Sequence, residues 1–162
     1  MAAMSKRLVA PLIDYCCLVY NSLNQELNTQ IERLLNSCIR FIFNVPIDEH
    51  ITPYYNQLGW LRLPKKREYI LGIFLFNLFE SKSPEYLYKK FLFKNSVSSR
   101  ILRTYGLDLQ IPIHRTPSHA RSFAVFSAKL WNKIPANVRG TKSLSAFKAK
   151  YFDLLMSQQR AG

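Results

Sequence analysis

From Asn24 to Ile42 the apolar residues Leu27, Ile31, Leu34, Leu35, Cys38 and Ile42 recur three and four positions apart, with Arg33, Asn36 and Arg40 between them. On a helix of 3.6 residues per turn that spacing puts the first set on one face and the second on another, and Asn24 suits the cap. A helix with one apolar face must bury it, so a chain built on this pattern is constrained to pack its helices on one another. The same period returns on both sides. Pro11 with Leu12, Tyr15 and Val19 predicts a short, mostly buried helix ending near Tyr20, and Thr52-Pro53 with Gly59 predicts a helical turn over 53–58 that presents Tyr54 and Tyr55. Pro64 opens a long helix through Ile70, Phe74 and Leu78 that breaks at Ser81-Lys82-Ser83-Pro84. Glu85 follows in a further helix carrying Tyr86, Leu87, Lys89, Lys90 and Phe91. Ser143 announces a last helix, with Leu144, Phe147, Tyr151 and Leu155 inward and Lys142, Lys148 and Lys150 contributing outward charge.

The polar run NSVSSR at 95–100 is the natural boundary, giving a helical region 1–94 and a basic region 95–162. In the second, Leu109, Ile111 and Ile113 alternate with Gln110, Pro112 and His114, the period of a half-buried strand. Pro112 lacks a ladder N–H and restricts it to a sheet edge. Past Ser122 the period lengthens. Phe123, Phe126 and Leu130 form an apolar face, Arg121, Lys129 and Lys133 a cationic one, and Pro135 closes the helix, leaving Trp131 either packed inward or stacked on something flat. The expected fold is mainly α: a helical bundle-like first half, and a basic α-rich second half containing a small β element near 109–115.

Charge narrows the function classes. Up to Trp60 there are 4 Lys/Arg against 5 Asp/Glu, whereas beyond it there are 19 against 5, a net of +14. Between Arg100 and Lys150, 10 cations face the single acid Asp108. A surplus of that kind points to a polyanion, because each cation near a phosphate releases condensed counterions; the competing reading is a solvated surface. The candidate contacts for an RNA or DNA backbone are Arg100, Arg103, Arg115, Arg121, Lys129, Lys133 and Arg139. Lys65, Lys66 and Arg67 join them in the first turn of the helix opened by Pro64, where cations oppose the macrodipole, so that turn is either phosphate-contacting or merely solvated. Tyr105, Phe123, Phe126 or Trp131 would add base stacking if exposed.

Other chemistry finds little support. Cys16, Cys17 and Cys38 write neither a disulfide framework nor a metal clip, and they read as small apolar residues in a reducing compartment. The opening residues lack the apolar core of a signal peptide, and the longest apolar run, 69–79, is too short to cross a bilayer. The expectation is an intracellular protein, nuclear or cytoplasmic, with no membrane partner. His114 and His119 match no zinc spacing, and Asp48-Glu49-His50 suits a cap or turn better than a nuclease metal. With five glycines, all scattered, there is no nucleophile elbow and no phosphate-cradling loop. No catalytic residue, metal or cofactor is assigned.

Three stretches carry a resemblance: PLIDYCCLVYNSLNQELNTQIERLLNSCIRFIF, HITPYYNQLGWLRLPKKREY and IPIHRTPSHARSFAVFSAKLWNKIPANVR. They resemble the thumb and the downstream C-terminal region of LINE-type non-LTR retrotransposon reverse transcriptases, over almost the whole chain from about Pro11 to Leu155. The resemblance implies a helical thumb beside a template–primer duplex. It also implies a structural motif at Ser122, Phe123, Leu130, Trp131, Asn132, Ile134 and Pro135, and other reverse-transcriptase domains as partners. It does not carry polymerase activity over. No Asp-Asp pair occurs, and fingers, palm, endonuclease and Cys/His knuckle have no counterpart in these residues, so a non-catalytic fragment is expected.

Overall fold

The computed structural model of the protein describes residues 11, 14, 15, 17, 18, 25–94 and 107–161. The regular structure among them is helical: α1 (Gln25–Phe43), α2 (Thr52–Leu58), α3 (Leu63–Ser81), α4 (Glu85–Tyr88), α5 (Pro117–Ala120), α6 (Phe123–Lys133), α7 (Ala136–Arg139) and α8 (Leu144–Ala161). The fold is mainly α. The small β element expected near 109–115 is, among the described residues, a lone antiparallel bridge between Phe93 and Leu109. Beyond Leu109, Ile113 is 86% exposed and Pro112 has no N–H, so neither a buried face nor a donor row holds a longer strand in register. The helix expected from Pro11 to Tyr20 and the 95–100 linker lie largely or wholly outside the described residues.

The chain forms two compact units, 1–67 with 156–162, and 68–155. The composition boundary at 94/95 falls inside the second.

In the first unit Ile39, Ile51 and Tyr55 are the buried centre, with Phe43, Tyr54, Leu58 and Trp60 packed against them. The face that α1 buries is therefore centred on Leu35 and Ile39, while Leu34 and Phe41 are 52% and 70% exposed. This corrects the expected stripe, which placed Leu34 inward and left Ile39 out. Polar groups set the rotation: the Tyr55 hydroxyl donates to Asn36 Oδ1 at 2.9 Å, and Arg67 donates to Asn28 Oδ1 at 2.7 Å, so α1 turns its asparagines toward its neighbours. Burial pushes the Tyr55 phenol up to about 12, with Arg62 opposing and Glu32 and Cys38 adding to the rise. The residue before α2 is Ile51, with no side-chain cap, so Thr52 is inside the helix and not its cap. Gly59 ends α2 at φ +63°, a left-handed conformation that glycine adopts without a Cβ penalty. Buried Gln159 accepts from the Arg62 N–H at 2.7 Å and donates to Asn56 Oδ1 and the Trp60 carbonyl at 2.9 and 3.0 Å.

In the second unit aromatic side chains interlock. Phe76 stacks on Phe147 with centroids 4.5 Å apart, and Phe79 meets Trp131, Phe93 and Phe91 edge-on at 4.8, 5.2 and 5.6 Å. Gly72 is buried where a Cβ would overlap the Tyr151 ring, so its lack of a side chain is what lets that ring lie against α3. The Tyr151 hydroxyl donates to the Glu68 carbonyl at 3.3 Å, and burial, reinforced by the Glu68 charge, raises its phenol well above the ordinary range. Ser143 caps α8 by accepting from the Ala146 N–H at 3.2 Å. α4 is shorter than expected, stopping at Tyr88, before Lys89, Lys90 and Phe91.

Candidate nucleic-acid interface

The stretch LWNKIPANVR works as a clamp on three residues upstream. Leu109 is fully buried, yet its peptide belongs to no helix or ladder beyond the single bridge. The Asn132 amide supplies the missing partners: Oδ1 accepts from the Leu109 N–H and Nδ2 donates to the Leu109 carbonyl, both at 2.8 Å. Trp131 Nε1 donates to the Leu107 carbonyl at 2.8 Å, and Arg139 Nη1 reaches the same oxygen at 3.0 Å. Between them Asp108 is paired at 2.8 Å with Arg139 Nη2 and at 3.5 Å with Lys94. An amide that donates and accepts at once can stand in for a neighbouring strand, and here it does so from the end of a helix.

That clamp removes two residues from any binding surface. Trp131 is 2% exposed with its N–H satisfied, so its ring has no free face, and Arg139 is a buried ion-pair partner of Asp108, not a group held out to phosphate. Arg67 is likewise buried and bonded to Asn28, Lys66 pairs with Asp14 at 2.8 Å, and Lys65 reaches Gln158 at 2.9 Å. The unfavourable cations in the first turn of α3 thus meet acceptors inside the first unit, which offset their opposition to the macrodipole. Phe123 is half-buried against Phe74 and Phe91, and Phe126 is half-buried too. Arg100, Arg103 and Tyr105 lie outside the described residues.

What remains exposed is a smaller set. Arg115, Arg121 and Lys129 are exposed and form no ion pair among the described residues; Lys133 is exposed, with a loose 3.8 Å contact to Glu68. The last two lie one turn apart on α6. Arg115 is tied to the same region through its neighbour His114, whose Nε2 lies 3.5 Å from Lys129 Nζ. Thr116 caps α5 by accepting from the His119 N–H at 3.2 Å, and Pro117 occupies its first turn, so Arg115 and Arg121 flank a capped turn. Lys142, Lys148 and Lys150 are also exposed and unpaired among the described residues. Sequence reasoning missed His114 as a neighbour of Lys129; their proximity depends on the Leu109 clamp, which no spacing announces.

Asp48, Glu49 and His50 are exposed, and Glu49 accepts a hydrogen bond of 2.6 Å from the Tyr54 hydroxyl, which with burial raises that phenol. Among the described residues no three His, Cys, Asp or Glu side chains stand together as a metal site would require, and no helix is long and apolar enough to cross a membrane. No protein-family model, curated protein or solved structure matches this chain.

Proposed function

We propose that the chain is a non-catalytic nucleic-acid-binding region of the retrotransposon reverse-transcriptase type, holding RNA or DNA by its phosphate backbone without reading sequence, with other reverse-transcriptase domains as further partners. The observation that carries this reading is the group Arg115, Arg121 and Lys129, exposed and without an acid partner among the described residues, with Lys133 one turn further along α6. Cations so placed supply affinity through counterion release, while the buried Trp131 offers no platform for a base. Fluorescence anisotropy against a labelled single strand and a duplex, repeated at increasing salt, tests it. Log affinity falls linearly with log salt, and each of Arg115→Ala, Arg121→Ala and Lys129→Ala lowers the slope by about 1. Absence of binding at low salt overturns the proposal.

A second reading, a protein-interaction or purely structural helical remnant, draws on the apolar side chains of the first unit. Leu34, Phe41 and Ile47 are 52%, 70% and 89% exposed. It requires concentration-dependent association in sedimentation that Phe41→Glu abolishes; a monodisperse monomer counts against it.

A further inference from the structure

His114 and Lys129 differ from the other basic residues in being held against each other, Nε2 to Nζ, at 3.5 Å. The second ring nitrogen, Nδ1, lies 3.0 Å from the Pro112 carbonyl oxygen. A carbonyl can only accept, so Nδ1 carries a hydrogen, and in the neutral ring Nε2 is the lone-pair nitrogen turned toward the ammonium group. We infer that His114 and Lys129 form a phosphate-binding subsite in which proton uptake by His114 is coupled to capture of the anion. The inference rests on the nucleic-acid reading above and adds to it a residue and a regulation.

The chemistry follows from the geometry. In the neutral state the ring accepts weakly from Lys129 and has nothing to offer an anion. Once protonated, Nε2 becomes a donor beside an ammonium, and two positive donors 3.5 Å apart repel one another. One phosphate oxygen relieves that repulsion, because both donors can reach it at ordinary charge-assisted lengths of about 2.8 Å. Among the described residues the charged group against the ring is Lys129 from α6, and Arg115 follows in sequence, both cationic. No carboxylate competes among the ion pairs of the described residues: Asp108 is taken by Arg139 and Lys94, Glu68 by Lys133 and Glu85 by Lys89, while Glu80 and Asp153 pair with neither Lys129 nor Arg115. His119 is exposed and its backbone N–H is spent on the Thr116 cap, which makes it the natural control.

The experiment measures affinity for a thymidine oligonucleotide, whose bases do not titrate here, at fixed low salt from about pH 8 down to about pH 5.5. For the wild type and His119→Gln, affinity rises about fivefold as pH falls through the histidine range, one added phosphate contact in size. For His114→Gln that rise is lost while binding at the alkaline end persists; for Lys129→Gln the rise is lost and binding is weaker at every pH, because a backbone contact goes with it. Should His114→Gln fail to fold, the imidazole resonances of the wild type give the same answer, since inorganic phosphate added at low pH displaces those of His114 and leaves those of His119 in place. A wild-type affinity that ignores pH, or a His114→Gln profile that matches the wild type, removes the subsite and leaves the nucleic-acid reading intact. No binding at any pH removes both.

Discussion

Leu109 shows what a single side chain does when secondary structure is missing. Its N–H and carbonyl are buried with no helix around them, and the Asn132 amide is the partner of both. Asn132→Leu orphans two buried backbone groups and costs about 2–4 kcal/mol in urea denaturation. Asn132→Asp keeps the acceptor but sets a carboxylate against the Leu109 carbonyl, so it also destabilises, and less so at a pH where that carboxyl is protonated; equal loss at all pH values would show that only shape matters there. Arg139→Met breaks a mostly buried pair with Asp108 and lowers stability by about 3 kcal/mol without changing the salt slope of nucleic-acid binding, in contrast to Arg115→Ala. Tyr55 gives a pH signature. Its phenol is raised to about 12 in the folded state against an ordinary value near 10, so the stability tied to the neutral form is whole below about 10 and drains away as pH climbs through 12. Tyr55→Phe, lacking the hydrogen bond to Asn36, is less stable at neutral pH yet loses less across that alkaline window; circular dichroism followed against urea at each pH distinguishes the two trends.

At the scale of elements, what the sequence conveys is period and punctuation, and what it withholds is partners. α1 runs close to the expected bounds because apolar spacing and an Asn24 start specify a helix locally, but which of its apolar residues face inward is decided by Tyr55 and Arg67, far along the chain. α3 and α8 begin near Pro64 and Ser143 as read, and Phe147, Tyr151 and Leu155 are buried as expected. α5 and α7 are four residues each, too short for a 3.6-residue period to register, and neither was foreseen, although Thr116-Pro117 is a capping pair that could have announced α5. The candidate interface was legible only as a charge excess. Arginine in a sequence is a cation whether or not an aspartate waits for it, so Arg139 and Arg67 looked the same as Arg115 until Asp108 and Asn28 were placed. The packing of α3 on α8 carries its own test. Gly72→Ala drives a methyl group into the Tyr151 ring and lowers the urea midpoint by the equivalent of about 1–3 kcal/mol, and Tyr151→Leu in the same chain recovers part of that loss by vacating the space. Additive losses in the double variant would mean the ring is not what the methyl meets.

For the molecule as a whole the governing quantity is the formal charge of +13, all of it beyond Trp60. That figure already subtracts all 10 acids, so the surplus has no internal counterpart; the described ion pairs, Lys66–Asp14, Lys89–Glu85, Lys94–Asp108, Lys133–Glu68 and Arg139–Asp108, engage four acids, with Asp108 shared. Unpaired cations on a folded chain repel, and the repulsion is released on unfolding, so the same excess that would hold a polyanion works against the fold. Salt should then act in opposite directions on the two properties. At about 0.1 M the screening length is roughly 10 Å, enough to damp repulsion between exposed side chains such as Lys148 and Lys150 while leaving the mostly buried Arg139–Asp108 pair nearly untouched. Raising sodium chloride from about 0.02 M to about 0.3 M, a range over which that screening length falls several-fold, therefore raises the urea midpoint while nucleic-acid affinity drops. Bound oligonucleotide replaces the effect of salt, raising the midpoint most when salt is lowest, because it neutralises the same side chains by mass action. A midpoint that stays flat or falls with salt would mean that the exposed cations stand too far apart to feel one another, and a surface so dilute in charge could not concentrate a phosphate backbone either.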